Sequence, residues 1–126
     1  MSPAKSTRAL WLWAPVVLYM AFIFSLSSIS RPPDLPAEMS DKTGHMLLYS
    51  GLSALLVRAL AGGWRSRVTP LMTCLAVVIA TLYGVTDEVH QHFTPPRQMD
   101  RWDVLADAAG ASIAAAGAYA VSRFRL

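Results

Sequence analysis

Charged residues are scarce in this chain of 126 residues, because Asp, Glu, Lys and Arg together make up 15% of it. In an ordinary soluble domain, these four residue types make up roughly 25% of the sequence. Hydrophobic residues, in contrast, make up 54% of the sequence. A soluble domain this small has too much surface per unit volume to bury so much apolar material. The composition therefore argues against a soluble globular domain and indicates a membrane protein.

Cysteine and the common motifs of soluble enzymes are equally scarce. Cys74 is the only cysteine, so the chain has neither an internal disulfide nor a thiolate metal site. The patterns G-x-x-x-x-G-K-[ST] and G-x-S-x-G are absent, which argues against nucleotide hydrolysis and elbow-type esterases. The spacing of the histidines and acids matches no zinc motif. The sequence therefore predicts no metal site and leaves any cofactor unknown.

Four apolar segments dominate the sequence, at residues 9–29, 44–62, 69–86 and 108–121. A membrane-spanning helix needs about 20 mostly apolar residues, and the fourth segment reaches that length only with its polar flank. Lipid cannot hydrogen-bond the backbone, so such segments must be helical. We therefore predict an all-α membrane protein with one domain over residues 1–126. Its four transmembrane helices are expected at about residues 9–29, 41–62, 69–91 and 103–122.

The first apolar segment has one alternative interpretation, a cleaved signal peptide, because Lys5 and Arg8 precede it. Its apolar core is longer than the roughly 7–15 residues of a signal peptide, and no clear cleavage site follows it. We therefore expect it to be a retained transmembrane helix.

The charges divide unequally between the two predicted membrane faces. One face receives both termini and the loop after the second helix, with seven of the eleven basic residues, whereas all eight acids fall on the other face. The seven basic residues are Lys5, Arg8, Arg58, Arg65, Arg67, Arg123 and Arg125. By the positive-inside rule, both termini are expected in the cytoplasm. The net charge of +3 thus reflects topology and contact with membrane lipids, and predicts no nucleic-acid binding.

Ionisable residues are concentrated between Val85 and Asp107, next to apolar segments. Asp87 and Glu88 fall at the C-terminal end of the third helix, where the helix dipole disfavours carboxylates. His90 is expected on the same face as Asp87, and Glu88 is expected to pair with His92. Because ionisable residues at membrane depth are usually functional, we predict a polar pocket on the outer face. The candidates for an acid or base there are Asp87, Glu88, His45 and His90.

Helical spacing adds residues from two other helices to this outer pocket. Asp41, His45 and Tyr49 share one face of the second helix, and Asp103 and Asp107 share one face of the fourth. Asp41 and Asp103, taken singly, are explained equally well as acids that stabilise a helix N-terminus.

The fourth helix is rich in small residues, including Gly110, Ala114, Gly117 and Ala118. Small residues let transmembrane helices approach closely. We expect this contact to bring the acids of the fourth helix against those of the third. Such crowding requires a proton, an arginine or a metal ion.

These motifs, in this order, resemble the VanZ-like family of small multi-pass bacterial membrane proteins. The resemblance is carried by DKTGHMLLYSGL, DEVHQHFTPPR and DVLADAAG. The matching residues are Asp41, Lys42, His45, Tyr49, Asp87, Glu88, Gln91, Phe93, Pro95, Arg97, Asp103, Asp107 and Gly110. One departure is Asp107, where many members carry asparagine, so this chain has an additional acid.

The resemblance implies a protein of the bacterial cytoplasmic membrane with a link to susceptibility to teicoplanin-type glycopeptides. The predicted ligand-binding residues are Asp41, Lys42, His45, Tyr49, Asp87, Glu88, Gln91, Arg97, Asp103 and Asp107. One hypothesis is that they bind or modify an anionic envelope lipid or a cell-wall precursor, with Lys42, Arg97 and Arg101 holding its phosphate or carboxylate. The alternative is a scaffold or interaction subunit without a reaction. A homo-oligomer is compatible with either.

Overall fold

A computed structural model of the chain describes residues 3–29, 41–95 and 100–125. It consists of four helices, α1 (Pro3–Ser27), α2 (Asp41–Ala61), α3 (Pro70–His92) and α4 (Arg101–Phe124). Each is long and apolar enough to span a membrane, which confirms the predicted four-helix membrane fold. The largest difference from the predicted bounds is at α1, which begins six residues early, at Pro3. Proline suits a first helical turn, because the backbone N–H that it lacks would have no partner there.

Hydrogen bonds between helix ends show that the helices alternate in direction. Arg8 Nη2 donates to the Gly62 carbonyl at 2.9 Å, and the Val68 N–H donates to Ser122 Oγ at 2.7 Å. These contacts join the beginning of α1 and the end of α4 to the connection between α2 and α3. We call this the terminal end of the bundle. The opposite end, where α1 and α3 finish and α2 and α4 begin, is called the cluster end.

The closest helix contact joins α2 to α4. Gly110 lies against the main chain of Met46, and a Cβ atom there would overlap the Met46 carbonyl oxygen. Ser53 Oγ donates across the same contact to the Ala111 carbonyl at 2.8 Å. Small residues therefore bring α4 close, as predicted, but Gly110 faces α2. On another side of α4, Asp107 packs against Gly84 of α3, so α4 contacts both helices.

Tyrosine hydroxyls attach α1 to the other helices. Tyr19 donates to the Leu48 carbonyl of α2, and Tyr83 of α3 donates to the Met20 carbonyl, both at 2.6 Å. Polar contacts of this kind hold transmembrane helices together in lipid, where burial of apolar surface contributes no driving force. Between Leu10 and Phe24, α1 exposes several large apolar side chains, as expected of a helix that faces lipid.

Arg58 occupies an apolar environment near the terminal end. Its side chain is buried, and Nη1 donates to the Trp11 and Leu12 carbonyls at 3.0 and 3.3 Å. Its guanidinium also lies 5.1 Å from the centre of the Trp11 ring and 5.8 Å from that of Trp64. Arg58 therefore ties α1 to α2 through carbonyls and cation–π contacts, rather than only extending towards the membrane surface.

Candidate functional site

Polar side chains from all four helices meet at the cluster end. We use the name polar cluster for Ser27, Asp41, Lys42, His45, Tyr49, Asp87, Glu88, Gln91, Asp100, Asp103 and Asp107. Of these, eight side chains are buried, and only Asp41, Lys42 and Asp100 are more accessible. The structure thus brings together the acids of α3 and α4 with the histidine of α2, as the sequence predicted.

His45 lies between carboxylates from both sides. Its Nδ1 shares a hydrogen bond of 2.8 Å with Asp107 Oδ1. Its Nε2 lies 3.6 Å from Asp103 Oδ2 and 4.0 Å from Asp41 Oδ2. Because Asp103 and Asp107 are four residues apart on α4, both carboxylates point towards the same imidazole. Each ring nitrogen of His45 therefore faces an acid.

Lys42 is engaged in ion pairs on the accessible side of the cluster. Its ammonium donates to Asp103 Oδ1 and, at 2.6 Å, to Asp100 Oδ2, and it lies 3.9 Å from Asp41 Oδ2. The hydrogen bond from Lys42 lowers the pKa of the Asp100 carboxyl, which lies before α4. The sequence assigned Lys42 to an anionic ligand, but in the structure its charge is directed at these acids.

The start of α4 is capped by Asp100. Asp100 Oδ1 accepts the N–H of Trp102 at 2.9 Å, and the Asp100 backbone adopts the extended conformation of an N-cap. Asp103 is thereby relieved of the capping role, and its carboxylate faces Lys42 and His45.

The acids at the end of α3 are stabilised by other helices. Ser27 Oγ of α1 donates to Asp87 Oδ1, and the backbone N–H of Asp100 donates to Glu88 Oε2 at 3.0 Å. These contacts explain how two adjacent carboxylates are accommodated where the dipole of α3 disfavours them. Asp87 also lies beside the hydroxyl of Tyr49, whose ring stacks on His45 with centroids 6.5 Å apart.

Sequence reasoning did not assign two residues of the polar cluster, Ser27 and Asp100, to the site. Serines near a helix end usually bond to the preceding helical turn, and Ser25 and Ser28 of α1 do so. Ser27 instead follows the buried Ile23 by four residues, so it shares the packed face of α1. That spacing was the available signal, but a uniformly apolar helix does not reveal which face is packed.

The two histidines of α3 lie away from the carboxylates. His90 is half-buried against α1, where it stacks on Phe24 with centroids 4.4 Å apart and lies 3.0 Å from Ser28 Oγ. His92 is exposed and contacts the Phe93 ring, whereas its predicted partner Glu88 is buried. Glu88 and His92 are four residues apart, but the Glu88 carboxylate is buried in the bundle and accepts the N–H of Asp100 instead.

Besides Lys42, two basic residues are predicted to hold an anionic ligand. Arg101 is exposed at the start of α4, with its guanidinium 5.9 Å from the centre of the Trp102 ring. Arg97 lies outside the described residues. The buried Gln91 lies one turn beyond Asp87 on the cluster side of α3.

The charges of the described cluster are predominantly negative. It contains six carboxyl side chains, with Lys42 and His45 as the basic groups. Two buried carboxylate oxygens, Glu88 Oε1 and Asp107 Oδ2, have no hydrogen-bond partner among the described residues. A buried carboxylate oxygen without a partner is costly, because it has lost its hydration. The arrangement therefore suits a cationic group.

Two sets of residues in the cluster have the geometry of metal ligands. Asp41, His45 and Asp103 form one set, and His45, Glu88 and Asp107 form the other; within each set the ligand atoms lie within 4.8 Å of one another. The sequence predicted no metal site. Its spacing could not indicate these sets, because each set combines residues from two or three different helices.

Comparison with known proteins supports the resemblance inferred from the motifs. The family model described as VanZ/LLP1 matches residues 10–122, a range that includes every residue of the polar cluster. No curated protein and no solved structure matches the chain.

Proposed function

This chain belongs to the VanZ/LLP1 family, and we propose that it binds a phosphate-bearing component of the bacterial envelope at its polar cluster. It is a multi-pass membrane protein by its four apolar helices. The observation that supports a binding site is the burial of five ionisable residues at one end of an apolar bundle. These residues are His45, Asp87, Glu88, Asp103 and Asp107.

Stability alone is a poor explanation for this burial. Ionisable groups at membrane depth are expensive and usually serve a ligand, an ion or a proton. Well-packed apolar residues often stabilise a fold as much as a buried ion pair does. The acids of the cluster therefore favour a functional site.

The orientation is part of the proposal. The terminal end carries seven basic residues without an acid, so it faces the cytoplasm of a cytoplasmic-membrane protein by the positive-inside rule. The polar cluster then opens towards the outer leaflet, where envelope lipids and lipid-linked cell-wall precursors are available. By binding such a component, the protein would alter glycopeptide susceptibility.

Arg101 is the described basic residue best placed to contact phosphate. It is exposed at the cluster end, and the neighbouring Trp102 is also exposed, as is typical of residues at a membrane interface. Lys42 is less suitable, because its ammonium is held by Asp100 and Asp103. Binding is favoured over catalysis, since both nitrogens of His45 face carboxylates instead of an open space.

A scaffold role is the second candidate, and one observation favours it. Ser27–Asp87, Lys42–Asp103 and His45–Asp107 each join two helices, so the polar cluster also holds the bundle together. A pure scaffold needs these contacts without any ligand.

The two candidates are separated by lipid binding in nanodiscs that contain phosphatidylglycerol and phosphatidylcholine. Native mass spectrometry would count the phosphatidylglycerol molecules retained by the wild type, Arg101→Gln and Arg123→Gln. Arg123 is the matched control, because it is exposed on the same helix at the terminal end. A charge-assisted hydrogen bond to phosphate contributes about 1.5 kcal/mol, so Arg101→Gln should weaken retention roughly tenfold, and more than Arg123→Gln does. Equal effects of the two variants would indicate unspecific attraction and contradict the proposal.

The link to glycopeptides requires a test in cells. Teicoplanin susceptibility and membrane abundance would be measured together for Asp87→Asn and Asp103→Asn. Loss of the effect on teicoplanin susceptibility at normal membrane abundance would support a ligand site at these carboxylates. A parallel loss of abundance and phenotype would instead favour the scaffold.

A further inference from the structure

Three helices bring His45, Glu88 and Asp107 together inside the bundle. Each side chain offers a ligand atom, and the three atoms lie within 4.8 Å of one another. Glu88 and Asp107 are 2% and 0% exposed, and His45 is also buried. We propose that these three residues bind a divalent transition-metal ion. The site belongs to the polar cluster but does not depend on the envelope component proposed above.

The two unpartnered carboxylate oxygens favour binding of a cation. Glu88 uses Oε2 to accept the N–H of Asp100, and Asp107 uses Oδ1 for the hydrogen bond to His45. The second oxygen of each carboxylate, Glu88 Oε1 and Asp107 Oδ2, is buried and has no hydrogen-bond partner within the described ranges. Because buried carboxylates require a hydrogen bond, an ion pair or a metal, coordination by these oxygens would compensate for their lost hydration.

The surroundings of His45 match those of metal-binding histidines. Such a histidine ligates the metal through one nitrogen and donates the N–H of the other to a carboxylate, which fixes the ring orientation. When Nδ1 of His45 binds the ion, it gives up its hydrogen bond with Asp107 Oδ1, and the ring carries its proton on Nε2. Nε2 faces Asp103 Oδ2 at 3.6 Å, so a small approach would let it donate to that carboxylate. Asp103 is thereby a positioning residue for the ligand.

The residues need only a small movement to close on an ion. Bonds of about 2.1 Å to a tetrahedral Zn²⁺ place ligand atoms about 3.5 Å apart. The present separations of up to 4.8 Å therefore have to shrink by at most about 1.3 Å. Side-chain rotation of Glu88 is the simplest route, since its carboxylate is attached through three rotatable bonds.

The alternative set around Nε2, formed with Asp41 and Asp103, is less suitable. Lys42 donates to Asp103 and lies 3.9 Å from Asp41, so its positive charge opposes a second cation there. Asp41 is also accessible, with 67% of its side chain exposed, and water can hydrate it without a metal. The buried set offers two unpartnered oxygens and is farther from that ammonium.

The ligand types indicate which ion would bind. One imidazole and two carboxylates suit Zn²⁺, Mn²⁺ or Fe²⁺, whereas Ca²⁺ and Mg²⁺ prefer oxygen ligands alone. Three protein ligands leave at least one coordination position open, as in zinc sites that bind water or substrate.

The test uses the full-length protein, purified in detergent and stripped of metal with a chelator. Calorimetric titration with Zn²⁺ alone should show one site in the wild type, and Glu88→Gln should weaken its affinity at least tenfold. Asp41→Asn is the matched control, because it removes a carboxylate from the alternative set only, and it should change the affinity less than threefold. A larger loss of Zn²⁺ affinity in Asp41→Asn than in Glu88→Gln would place any ion at Nε2 of His45 and overturn the proposal. Equal affinity in all three proteins would overturn it as well.

A measurement on the wild type guards against variants that fail to fold. Co²⁺ bound by an imidazole and carboxylates gives visible absorption bands, and stoichiometric Zn²⁺ should remove them. Persistence of the bands, or their absence at equimolar Co²⁺, would overturn the proposal without any variant. Because neither measurement includes an envelope lipid, failure of the metal site leaves the phosphatidylglycerol test intact, and the converse also holds.

Discussion

Gly110→Ala should destabilise the bundle more than an ordinary surface substitution. A Cβ atom at this position would overlap the Met46 carbonyl oxygen and lie 2.8 Å from the Met46 carbonyl carbon and Cα. All three atoms belong to the main chain of α2, so no side-chain rotation can make room. Overpacking of this kind typically costs 1–3 kcal/mol, and the rigid obstacle places the expected loss near 3 kcal/mol.

The displacement would also weaken two hydrogen bonds between α2 and α4. Ser50 and Ser53 donate to the Gly110 and Ala111 carbonyls at 3.0 and 2.8 Å, and these bonds would lengthen as the helices separate. Hydrogen bonds between transmembrane helices contribute about 0.6 kcal/mol each on average, so their loss adds roughly 1 kcal/mol. The combined loss should be about 4 kcal/mol if both bonds break.

Gly117→Ala is the matched control on the same helix. Nothing lies within 4 Å of a Cβ atom built at Gly117. Alanine is favoured over glycine in a helix by up to about 1 kcal/mol, so this variant should be neutral or slightly more stable. Unfolding of both variants in mixed detergent micelles, followed by circular dichroism, measures the difference. Equal stability of Gly110→Ala and Gly117→Ala would refute the close contact between α2 and α4.

Two further variants test the polar contacts at the cluster end. Ser27→Ala should lower the free energy of unfolding by about 1–2 kcal/mol, because it leaves Asp87 without this donor. Ser25→Ala, which removes an exposed hydroxyl that bonds to the preceding turn of α1, should have little effect in the same assay. The hydrogen bond from Lys42 lowers the pKa of Asp100 below its ordinary 3.8. The ionised Asp100 therefore stabilises the fold above pH 3.8. This contribution to stability disappears as the pH falls through the lower pKa of the folded state. Asp100→Asn should therefore reduce the loss of stability on acidification below pH 3.8, and an unchanged acid profile would contradict the Lys42 contact.

The fold and most members of the polar cluster could be predicted because both rest on local patterns. Uncharged segments of spanning length indicate helices, and spacings of four residues place Asp103 with Asp107 and His45 with Tyr49 on common faces. The structure brings these faces together at one end of the bundle, as expected. Local spacing thus carried the prediction of which side chains meet.

The assignment of partners could not be predicted in the same way. Lys42 was expected to hold an anion, but Asp100 and Asp103 come close to it only after α4 packs on α2. The charge of a residue is visible in the sequence, whereas its neutralisation depends on contacts between residues about 60 positions apart. Arg101 shows the opposite outcome, because its position at the helix start leaves it exposed.

The negative charge of the polar cluster limits which ligand can enter its centre. A site built to hold a phosphate directly should present unpaired cations at its centre, but this centre presents carboxylates with His45 between them. Direct contact with phosphate is therefore restricted to the rim, where Arg101 is exposed. A cation bound at Glu88 and Asp107 would reverse this restriction, because its open coordination positions attract anions. The acidic centre and an anionic envelope ligand are then compatible, and occupancy of the metal site should control how deeply that ligand enters the bundle.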